Sequence, residues 1–600
     1  MSEKKKAVVV AEKPSVARDI ARVLGAGGRG DGFLHGGGYA VTWAIGHLLT
    51  LKEPEDYSPV LKKWRMSDLP ILPETMGLKP MPKTERQLLT IKKLVNHREI
   101  GEVICATDSG REGELIFRYI YDWCGCKKPV RRLWISSLTD EAIRNGFAKM
   151  KDKSAYDNLY ASAKCRSEAD WLVGMNGTRA FTLSHGGDGV LPVGRVQTPT
   201  LAMIVERDAQ IKAFKPETYY EVHAEFETAG GETYNGVYAK KGEAAPARLP
   251  AKADAEEIAA RARGKQGGVD SAITEEKRIP APLLFDLTEL QRECNRKLGF
   301  SAQKTLTVAQ SLYEKHKLIT YPRTDSRHLS DDLLPKLPKI MDSLIQPQYK
   351  GFAEKARVAK SPRVFNSAKV TDHHAIIPTG KKAELPSLSA DERAVFDRIA
   401  RNFIAAFYPP HVYDITTAVT QVAGDGFISK GKATKDEGWT CLYAHEKKKE
   451  EEDLLPLLAA GQPVFARDAK ALRKKTEPPK PHTEASLLSM MENAGRLVDD
   501  DELKEAMKSS GLGTPATRAQ TIEKLISTGL AERNKKNLHP TEKGMRLVAL
   551  VPPELKEAAT TAKWERALAR IASGDMSEER FMGSIRRFAD YLVQSARNRG

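Results

Sequence analysis

The chain has 600 residues, more than one hydrophobic core usually organises, so three to five domains are expected. Its apolar fraction of 41% is ordinary for a globular protein, and it contains no run of 18 or more apolar residues, which argues against a membrane-spanning helix. The net charge of +16 favours a polyanionic partner such as nucleic acid, although a moderately basic surface can also serve solubility alone. We therefore expect a soluble, cytoplasmic, multidomain protein.

The cysteines and the N-terminus indicate neither a zinc ribbon nor secretion. The basic segment Met1–Lys6 runs directly into a short strand-like segment, which is not the pattern of a signal peptide. Scattered cysteines in an intracellular protein are usually small buried hydrophobic residues. The six in this chain form no pair of CxxC motifs: Cys105, Cys124, Cys126, Cys165, Cys294 and Cys441.

The first 150 residues predict an α/β domain. Residues 7–11 form a buried strand pattern, and Pro14 suits the start of the helix that follows. A second apolar run, residues 103–106, also ends in polar residues before a helical pattern begins. Two strand–turn–helix units indicate a mainly parallel sheet, whose functional groups collect at the carboxyl ends of the strands.

Beyond this domain, helical and strand patterns alternate in long blocks. Helical patterns cover residues 155–215, residues 287–318 and the last hundred residues. Alternating strand patterns occupy about 217–274 and return around 412–422, 438–443 and 463–466. One economical account is a β-domain built from two separated segments, with a helical domain inserted between them.

Two acidic turns are the first candidates for a site. Glu12 and Lys13 follow one predicted strand, and Asp108, Arg111 and Glu112 follow another. If these strands are neighbours, the three carboxylates can converge on one sheet edge, where oxygen ligands suit Mg²⁺. The cations could offset the charge of a phosphodiester. The alternative is an ordinary polar sheet edge. Two acidic turns in one domain favour a functional site over this alternative.

Tyr321 is the third candidate. A residue before proline is held extended, so the ring of Tyr321 can project from the backbone. Arg323 and nearby hydroxyl groups could neutralise a phosphate under attack. Taken alone, such a tyrosine is more often a packing residue with a hydrogen-bonded hydroxyl group.

Several ordered segments resemble a known family. The turns at Glu12 and Asp108 resemble the Toprim domain, and residues 320–326 resemble the active-site tyrosine segment of type IA DNA topoisomerases. Four further segments resemble those of bacterial DNA topoisomerase III and occur in that family's order: Trp64–Pro70, Gly194–Pro199, Asp372–Thr379 and Gly511–Ala519. The resemblance extends from residue 7 to about residue 590.

The resemblance implies roles for the catalytic residues. Tyr321 matches the nucleophile that forms a 5′-phosphotyrosyl link, which stores the phosphodiester energy so that resealing needs no ATP. Arg323 matches a residue that contacts the scissile phosphate, and Lys13 a cation that supports departure of the 3′ oxygen. Glu12 matches an acid placed for proton transfer with that oxygen and for metal binding. His373 matches a histidine near the tyrosine and the DNA phosphate.

The resemblance also implies a metal site and DNA contacts. One Mg²⁺ is expected on Glu12 and Asp108, with Glu112 as a further ligand or neighbour. Single strands are held by cationic grooves and aromatic stacking. The positions that match DNA contacts are Trp64, Arg111, Arg166, Trp171, Arg179, Gly194, Arg195, Val196, Gln197 and Arg518.

Two positions depart from the family's pattern. Many type IA enzymes carry Asp-x-Asp-x-Glu, whereas the middle acid is replaced here by Gly110. This replacement removes a carboxylate and weakens any expectation of two tightly bound metal ions. Pro192 stands where relatives often have a small polar residue, which removes a possible hydrogen bond to DNA.

The implied fold is a multidomain toroid of α/β, helical and β-rich parts. Its partners would be single-stranded DNA and a helicase or single-strand-binding protein, with no membrane contact and a monomeric state. The expected domains are a Toprim domain (1–154), a helical DNA-binding domain (155–216 and 480–600), a β-rich arch (217–280 and 408–479) and a tyrosine domain (281–407).

Two rival interpretations remain. One is a Toprim nuclease or primase in which Tyr321 is incidental, although it leaves the segments around Tyr321 and His373 unexplained. The other is a nucleic-acid-binding scaffold without catalysis, which the basic charge also suits. Covalent attachment of DNA through Tyr321 would separate both from a topoisomerase.

Overall fold

The computed structural model describes residues 6–135, 138–187, 189–370, 372–446, 454–498, 500–508 and 511–598. The N-terminal part, which we call the α/β unit, alternates strands and helices. Its elements are β1 (Lys6–Ala11), α1 (Pro14–Val23), β2 (Gly28–Gly30), β3 (Phe33–Gly36), β4 (Tyr39–Trp43), β5 (Leu49–Leu51), α2 (Pro54–Tyr57), β6 (Leu78–Pro80), α3 (Glu85–Val95), β7 (Ile100–Ala106), α4 (Arg111–Trp123), β8 (Val130–Arg132), α5 (Asp140–Ala148) and β9 (Lys151–Asp152).

The α/β unit is organised by a seven-stranded sheet in the order β2-β3-β4-β1-β7-β8-β9. Its centre, β4-β1-β7-β8, is parallel, and its two edges are antiparallel. Val8 and Val10 of β1 pack into the core on one face, and Val9 enters the core on the other. Burial on both faces explains the continuous apolar run of β1 and confirms the predicted parallel sheet.

Two long helices lead from the α/β unit into a closed β-barrel. The helices are α6 (Asp157–His185) and α7 (Gln197–Ala213). The elements of the barrel are β10 (Thr218–Thr228), β11 (Thr233–Ala239), α8 (Lys252–Ala262), β12 (Gln266–Ile279), β13 (His411–Val422), β14 (Asp425–Asp436) and β15 (Pro463–Lys475). Its strand order is β10-β11-β14-β13-β12-β15, so two segments far apart in sequence close one sheet.

The strand predicted at residues 438–443 is wrong, because Gly438–Glu446 forms a 3-10 helix. Leu442 is buried in the neighbouring helical core, against which Trp439 also packs. Gly438 has a φ of 50°, and a Cβ there would lie 2.3 Å from the Pro410 carbonyl oxygen. The turn therefore leaves the barrel immediately after β14, and the apolar residues that suggested a strand serve another core.

Between the two barrel segments lies a helical part that we call the tyrosine unit. Its core is built mainly from helices and long loops between residues 284 and 442. A π-helical turn, Leu312–His316, extends the second helix towards Tyr321. The helices are α9 (Leu287–Leu298), α10 (Ala302–Ser311), α11 (Leu337–Ser343), α12 (Lys350–Ala353) and α13 (Ala390–Ala405).

The C-terminal part shares one hydrophobic core with α6 and α7, and we call them together the helical unit. Its remaining elements are β16 (His482–Thr483), α14 (Glu484–Glu492), α15 (Asp501–Lys508), α16 (Pro515–Ser527), β17 (Ala531–Asn534), β18 (Asn537–Pro540), α17 (Glu542–Leu550), α18 (Pro553–Lys556), α19 (Ala558–Ser573) and α20 (Glu578–Asn598).

The last hundred residues are mostly helical, as predicted, but the hairpin β17–β18 was not expected. Lys535 adopts a left-handed conformation (φ 54°) in its two-residue turn, a role that sequence patterns assign to glycine or asparagine. The hairpin buries Ala531 and Leu538 in the core of the helical unit. Among the described residues, no helix is long and apolar enough to cross a membrane.

Asp286 caps α9 where the tyrosine unit meets the helical unit. Its Oδ1 accepts a hydrogen bond of 2.6 Å from the Glu289 backbone N–H. Burial, together with the negative charge of Glu492, raises the pKa of Asp286 to about 7. The folded state therefore favours the protonated acid. The contribution of this group to the free energy of unfolding is fully present below its ordinary pKa of 3.8 and is lost as the pH rises through about 7.

We expect Asp286→Asn to raise the melting temperature more at pH 8.5 than at pH 5.5. Asparagine caps helices as well as aspartate does and carries no buried charge, so the gain should grow by about 2 kcal/mol over this interval. Thermal unfolding at both pH values measures the effect. Asp152→Asn is the control, because Asp152 caps a helical turn while fully exposed. An Asp286→Asn effect independent of pH would contradict the assignment.

Candidate active site

The two acidic turns meet at one edge of the central sheet. Strands β1 and β7 are parallel neighbours, with Ala11 paired to Ala106, so the residues that follow them emerge side by side. The Asp108 backbone N–H donates to Glu12 Oε2 at 3.1 Å. Glu12 is only 8% exposed. The predicted convergence of Glu12 and Asp108 is thus present in the fold.

Lys13 links these carboxylates to the tyrosine unit. Its Nζ donates to Asp108 Oδ2 at 2.5 Å and lies 3.2 Å from Glu12 Oε1. The same ammonium group lies 4.1 Å from the centre of the Tyr321 ring. Lys13 stands immediately before α1, whose first residue is Pro14. The start of that helix therefore fixes the backbone from which the ammonium group reaches both units.

The position of Tyr321 is fixed by its neighbours in the chain. The π-helical turn ends at Lys317, which has a left-handed φ of 57° and turns the chain towards the sheet edge. Thr320 then donates its backbone N–H to the Ile377 carbonyl at 2.9 Å and its hydroxyl to the Ala375 carbonyl at 3.1 Å. These bonds tie the tyrosine segment to residues 375–377.

This pairing also brings His373 to the site. Thr324 donates its hydroxyl to the His373 carbonyl at 2.8 Å, and the rings of His373 and Tyr321 lie 4.5 Å apart. His373 Nε2 is 3.1 Å from Asp108 Oδ2, within hydrogen-bonding distance. The side chain of Arg323 is exposed on the same segment. Four predicted catalytic residues, Glu12, Lys13, Tyr321 and His373, therefore lie in one cluster.

The charges of the cluster alter its proton affinities. Burial, reinforced by the charge of Asp108, raises the pKa of Glu12. Burial alone would also raise the pKa of Asp108, but His373 and Lys13 hold it well below its usual range. Despite its own burial, Lys13 has a raised pKa because both carboxylates stabilise the ammonium ion.

Tyr321 has a raised pKa because burial outweighs the opposing effect of the Lys13 ammonium ion. The phenol is therefore protonated at neutral pH, and a reaction of its oxygen as a nucleophile would require the proton to leave. The Lys13 ammonium ion lies close enough to stabilise the phenolate.

Glu12 and Asp108 are suited to hold a divalent cation. Mg²⁺ binds proteins through one or two carboxylates and keeps several water molecules, which this pair would allow. Glu112 is instead paired with His47. Among the described residues, no group of three or more His, Cys, Asp or Glu side chains has a metal-binding arrangement. The structure thus unites two of the three predicted ligands.

Arg132 supports the Asp108 turn through its backbone carbonyls, a role that the sequence analysis did not predict. Its side chain is 1% exposed and donates to the backbone carbonyls of Thr107 and Asp108 at 2.8 and 2.6 Å. It also donates to Glu114 Oε2 at 3.0 Å. One buried guanidinium group therefore holds the turn that carries Asp108.

Three arginines predicted to bind DNA converge on a buried carboxylate that the sequence did not reveal. Glu565 of α19, 5% exposed, accepts from Arg195 at 3.0 Å and from Arg111 at 3.4 Å, and its carboxylate is 4.0 Å from Arg166 Nε. Arg195 also donates to Asp170 at 2.7 Å. Glu565 thus gathers cations from the α/β unit and the helical unit into one cluster beside α4.

The other predicted DNA contacts are partly engaged within the protein. The Arg179 guanidinium group lies 5.1 Å from the Trp64 ring and donates to the Leu61 carbonyl at 2.7 Å. Trp171, partly buried, packs against the core of the helical unit. Arg518 is buried and donates to the Thr288 hydroxyl at 2.8 Å, which joins the helical and tyrosine units.

The turn that precedes α7 is also held from within. Gly194 donates its backbone N–H to the Thr198 hydroxyl at 3.0 Å, and Val196 occupies the N-cap of α7. The buried Gln197 side chain donates to the Pro192 carbonyl at 3.4 Å.

Comparisons with known proteins agree with this geometry. A family model described as DNA topoisomerase matches residues 154–583, and the Toprim domain model matches residues 7–138. The chain is 42% identical to DNA topoisomerase 3 of Bacillus subtilis (strain 168) and of Bacillus licheniformis, over 99% of this chain and 82% of each relative. The chain belongs to the type IA DNA topoisomerases.

A solved structure supports the fold. Full-length topoisomerase I from Thermotoga maritima superposes with a TM-score of 0.70, covering 98% of this chain and 90% of that one at 22% sequence identity. The multidomain architecture with a Toprim domain is therefore that of a type IA topoisomerase. The α/β unit contains the Toprim match, and the enzyme is an isomerase that acts on DNA.

Within this topoisomerase, the space beside Gly110 is occupied by the tyrosine unit. A Cβ at position 110 would lie 2.5 Å from Asp372 Oδ2 and 2.9 Å from Oδ1. Burial and the charges of Asp108 and Asp325 raise the pKa of Asp372 to about 6. The glycine that departs from the type IA acidic pattern therefore faces a carboxylate from another part of the chain.

We expect Arg132→Ala to lower the melting temperature of this topoisomerase strongly. It leaves the buried Glu114 with one fewer cation and frees two carbonyls of the Asp108 turn, a loss of about 3–5 kcal/mol. Differential scanning calorimetry measures the change. Arg131→Ala is a matched control, because the neighbouring arginine makes an exposed ion pair with Glu102 worth about 0–1 kcal/mol. Equal effects of the two substitutions would contradict the role of Arg132.

Proposed function

We propose that this topoisomerase cleaves and reseals single-stranded DNA through a covalent 5′-phosphotyrosyl link to Tyr321. The observation that carries the proposal is the position of Lys13, whose ammonium group contacts Glu12 and Asp108 and lies 4.1 Å from the centre of the Tyr321 ring. A tyrosine can act as the nucleophile, a cation can stabilise developing negative charge, and carboxylates can transfer a proton or bind a metal, so these groups suit phosphoryl transfer to a side chain.

Cleavage would proceed by attack of the Tyr321 oxygen on the scissile phosphorus. The new O–P bond forms, the bond from phosphorus to the 3′ oxygen breaks, and the phenolic proton passes to water. Glu12, whose raised pKa favours the protonated acid, donates a proton to the departing 3′ oxygen. Lys13 and Arg323 stabilise the charge that develops on the oxygens.

Resealing reverses these steps. The 3′ hydroxyl group attacks the phosphorus of the phosphotyrosine, and Glu12 accepts its proton. The bond from phosphorus to the Tyr321 oxygen breaks, and the departing phenolate takes a proton from water. Because the covalent link retains the energy of the phosphodiester bond, the cycle needs no ATP. Mg²⁺ held by Glu12 and Asp108 would supply positive charge that positions the phosphate and the 3′ oxygen.

The arginine cluster around Glu565 would lie along the path of the DNA strand. Arg111, Arg166 and Arg195 are three cations around one Glu565 carboxylate, with Asp170 as a second anion on Arg195. The remaining positive charge can bind a phosphate group of a single strand. Trp64 with Arg179, and Trp171, would extend this surface by stacking on bases.

Strand passage would require the tyrosine unit to separate from the α/β unit after cleavage. The hydrophobic cores of the α/β, barrel, tyrosine and helical units support a division into domains near residues 154, 216, 280, 407 and 479, except that Leu442 of the second barrel segment packs in the core of the tyrosine unit. We propose a toroid that opens at the contact between Tyr321 and Lys13, with decatenation and relaxation of negative supercoils as its outcomes. A helicase or single-strand-binding protein would supply single-stranded DNA to a monomeric enzyme.

The rival Toprim nuclease needs no covalent adduct, so Tyr321 decides between the two. We expect Tyr321→Phe to abolish the protein–DNA adduct and to reduce decatenation by about three orders of magnitude or more, since the nucleophile is lost. Incubation with labelled single-stranded DNA followed by denaturing electrophoresis measures the adduct.

The matched control is Tyr313→Phe. The two tyrosine rings pack edge to face at 5.4 Å, so the control removes a hydroxyl group from the same pocket. It should leave adduct formation within about threefold of the unaltered enzyme. An adduct that persists in Tyr321→Phe would rule out the proposed nucleophile.

A second expectation concerns the carboxylates. Glu12→Ala should slow resealing by about 10²–10⁴-fold, because proton transfer with the 3′ oxygen is lost together with a metal ligand. Chelation of Mg²⁺ by EDTA should also block resealing, and added Mg²⁺ should restore it. The measurement is the decay of preformed adduct after addition of high salt. The control is Glu99→Ala, which removes an exposed carboxylate far from the site. Full relaxation activity without a divalent cation would refute the metal assignment.

A further inference from the structure

Gly110 and Asp372 form a complementary pair across the contact between the α/β and tyrosine units. Gly110 stands where many type IA enzymes carry an acid, and the Asp372 carboxylate lies within contact distance of the space its side chain would fill. An aspartate at position 110 would therefore collide with Asp372 and add like charge beside it. The carboxylate absent from the Asp108 turn is present at nearly the same place, supplied by the opposite unit.

The residue after Asp372 strengthens this connection. His373 Nε2 lies 3.1 Å from Asp108 Oδ2, so consecutive residues of the tyrosine unit meet two positions of the same turn. Thr324 holds the His373 carbonyl at 2.8 Å, which fixes residues 372–373 to the tyrosine segment. The environment of the cation-binding pair is thus complete only while the two units are in contact.

We propose that Asp372, on the tyrosine unit, takes the place of the middle acid that the type IA pattern puts on the α/β unit. Binding of a divalent cation and closure of the contact between these two units then favour each other. The inference rests on the proposed metal site of Glu12 and Asp108. Asp372 acts as a positioning residue beside this pair, in keeping with the absence of a three-residue ligand group among the described residues. Carboxylates that surround a metal site typically contribute 10–100-fold to its affinity.

Linkage gives the proposal a second consequence. If closure raises the affinity for the cation by some factor, the cation raises the closed population by the same factor. A carboxylate carried by the α/β unit itself would stay beside the pair whether the enzyme is open or closed, so it would not link cation binding to closure. Moving the carboxylate from position 372 to position 110 should therefore retain binding while removing the coupling to closure.

The test compares four chains: the unaltered enzyme, Asp372→Asn, Gly110→Asp, and Gly110→Asp with Asp372→Ala, in which alanine removes the atoms that a side chain at position 110 would meet. Binding of Mn²⁺, a spectroscopic substitute for Mg²⁺, is measured by electron paramagnetic resonance without DNA. We expect Asp372→Asn to weaken Mn²⁺ binding by about 10–100-fold. The double substitution should bind within about threefold of the unaltered enzyme, because it restores one carboxylate without the clash.

Closure is read separately by the distance between spin labels on exposed residues of the two units, at Arg86 and Lys382. Saturating Mn²⁺ should shift the unaltered enzyme towards the short distance and leave the double substitution unshifted. Asp31→Asn, which alters an exposed carboxylate of the α/β unit, controls for net charge. Melting temperatures establish that each chain is folded.

Two outcomes would overturn this inference while leaving the proposed metal site of Glu12 and Asp108 intact. Mn²⁺ affinity that is unchanged in Asp372→Asn would remove Asp372 from the cation site, and a double substitution that binds no better than Asp372→Asn would deny that position 110 can replace it. Glu12→Ala and Asp108→Ala separate these from failure of the proposed metal site. If those substitutions leave Mn²⁺ affinity unchanged, the site itself is wrong, whatever the result at Asp372.

Discussion

The ammonium group of Lys13 is the interaction on which the rest of the site depends. It lies between the two carboxylates and beneath the ring of Tyr321, so one charge joins groups more than 300 residues apart in sequence. At the effective dielectric constant of a protein site, two like charges 4 Å apart repel by about 4 kcal/mol. When both carboxylates are ionised, the cation shared between Glu12 and Asp108 offsets this repulsion, and the same cation favours the phenolate form of Tyr321.

Such a cluster keeps its geometry only if its supports do not move. Arg132 holds the Asp108 turn by its backbone carbonyls, and Glu565 gathers three arginines, among them Arg111 at the start of α4. Both are buried charges with several partners. Breaking a buried pair leaves an uncompensated charge, which costs far more than the pair contributes when intact. These residues therefore restrict the site to one arrangement rather than simply stabilising the fold.

The sequence predicted those parts of the site that follow local patterns. Apolar runs ending in Glu12 and Asp108 identified parallel strands, and an ordered set of motifs identified Tyr321. Arg132 could not be distinguished from Arg131, because the two are adjacent and their burial is decided by tertiary packing. Glu565 lies in a regular amphipathic helix without a motif. The segment after Gly438 was misjudged because its apolar residues suit a strand as well as a turn packed on another core.

The contact between the α/β unit and the tyrosine unit is made of polar groups, which bears on how the closed site could open. The contacts across it include Lys13 with Tyr321, His373 with Asp108, and the hydroxyl groups of Ser15 and Tyr313 at 3.5 Å. Each group can bond to water when the contact is broken, so each bond adds only about 0.5–1.5 kcal/mol to closure. An apolar interface of the same size would resist separation more strongly, because its exposure has no such compensation. A polar, directional contact therefore closes in one geometry at little cost to the proposed separation of the units.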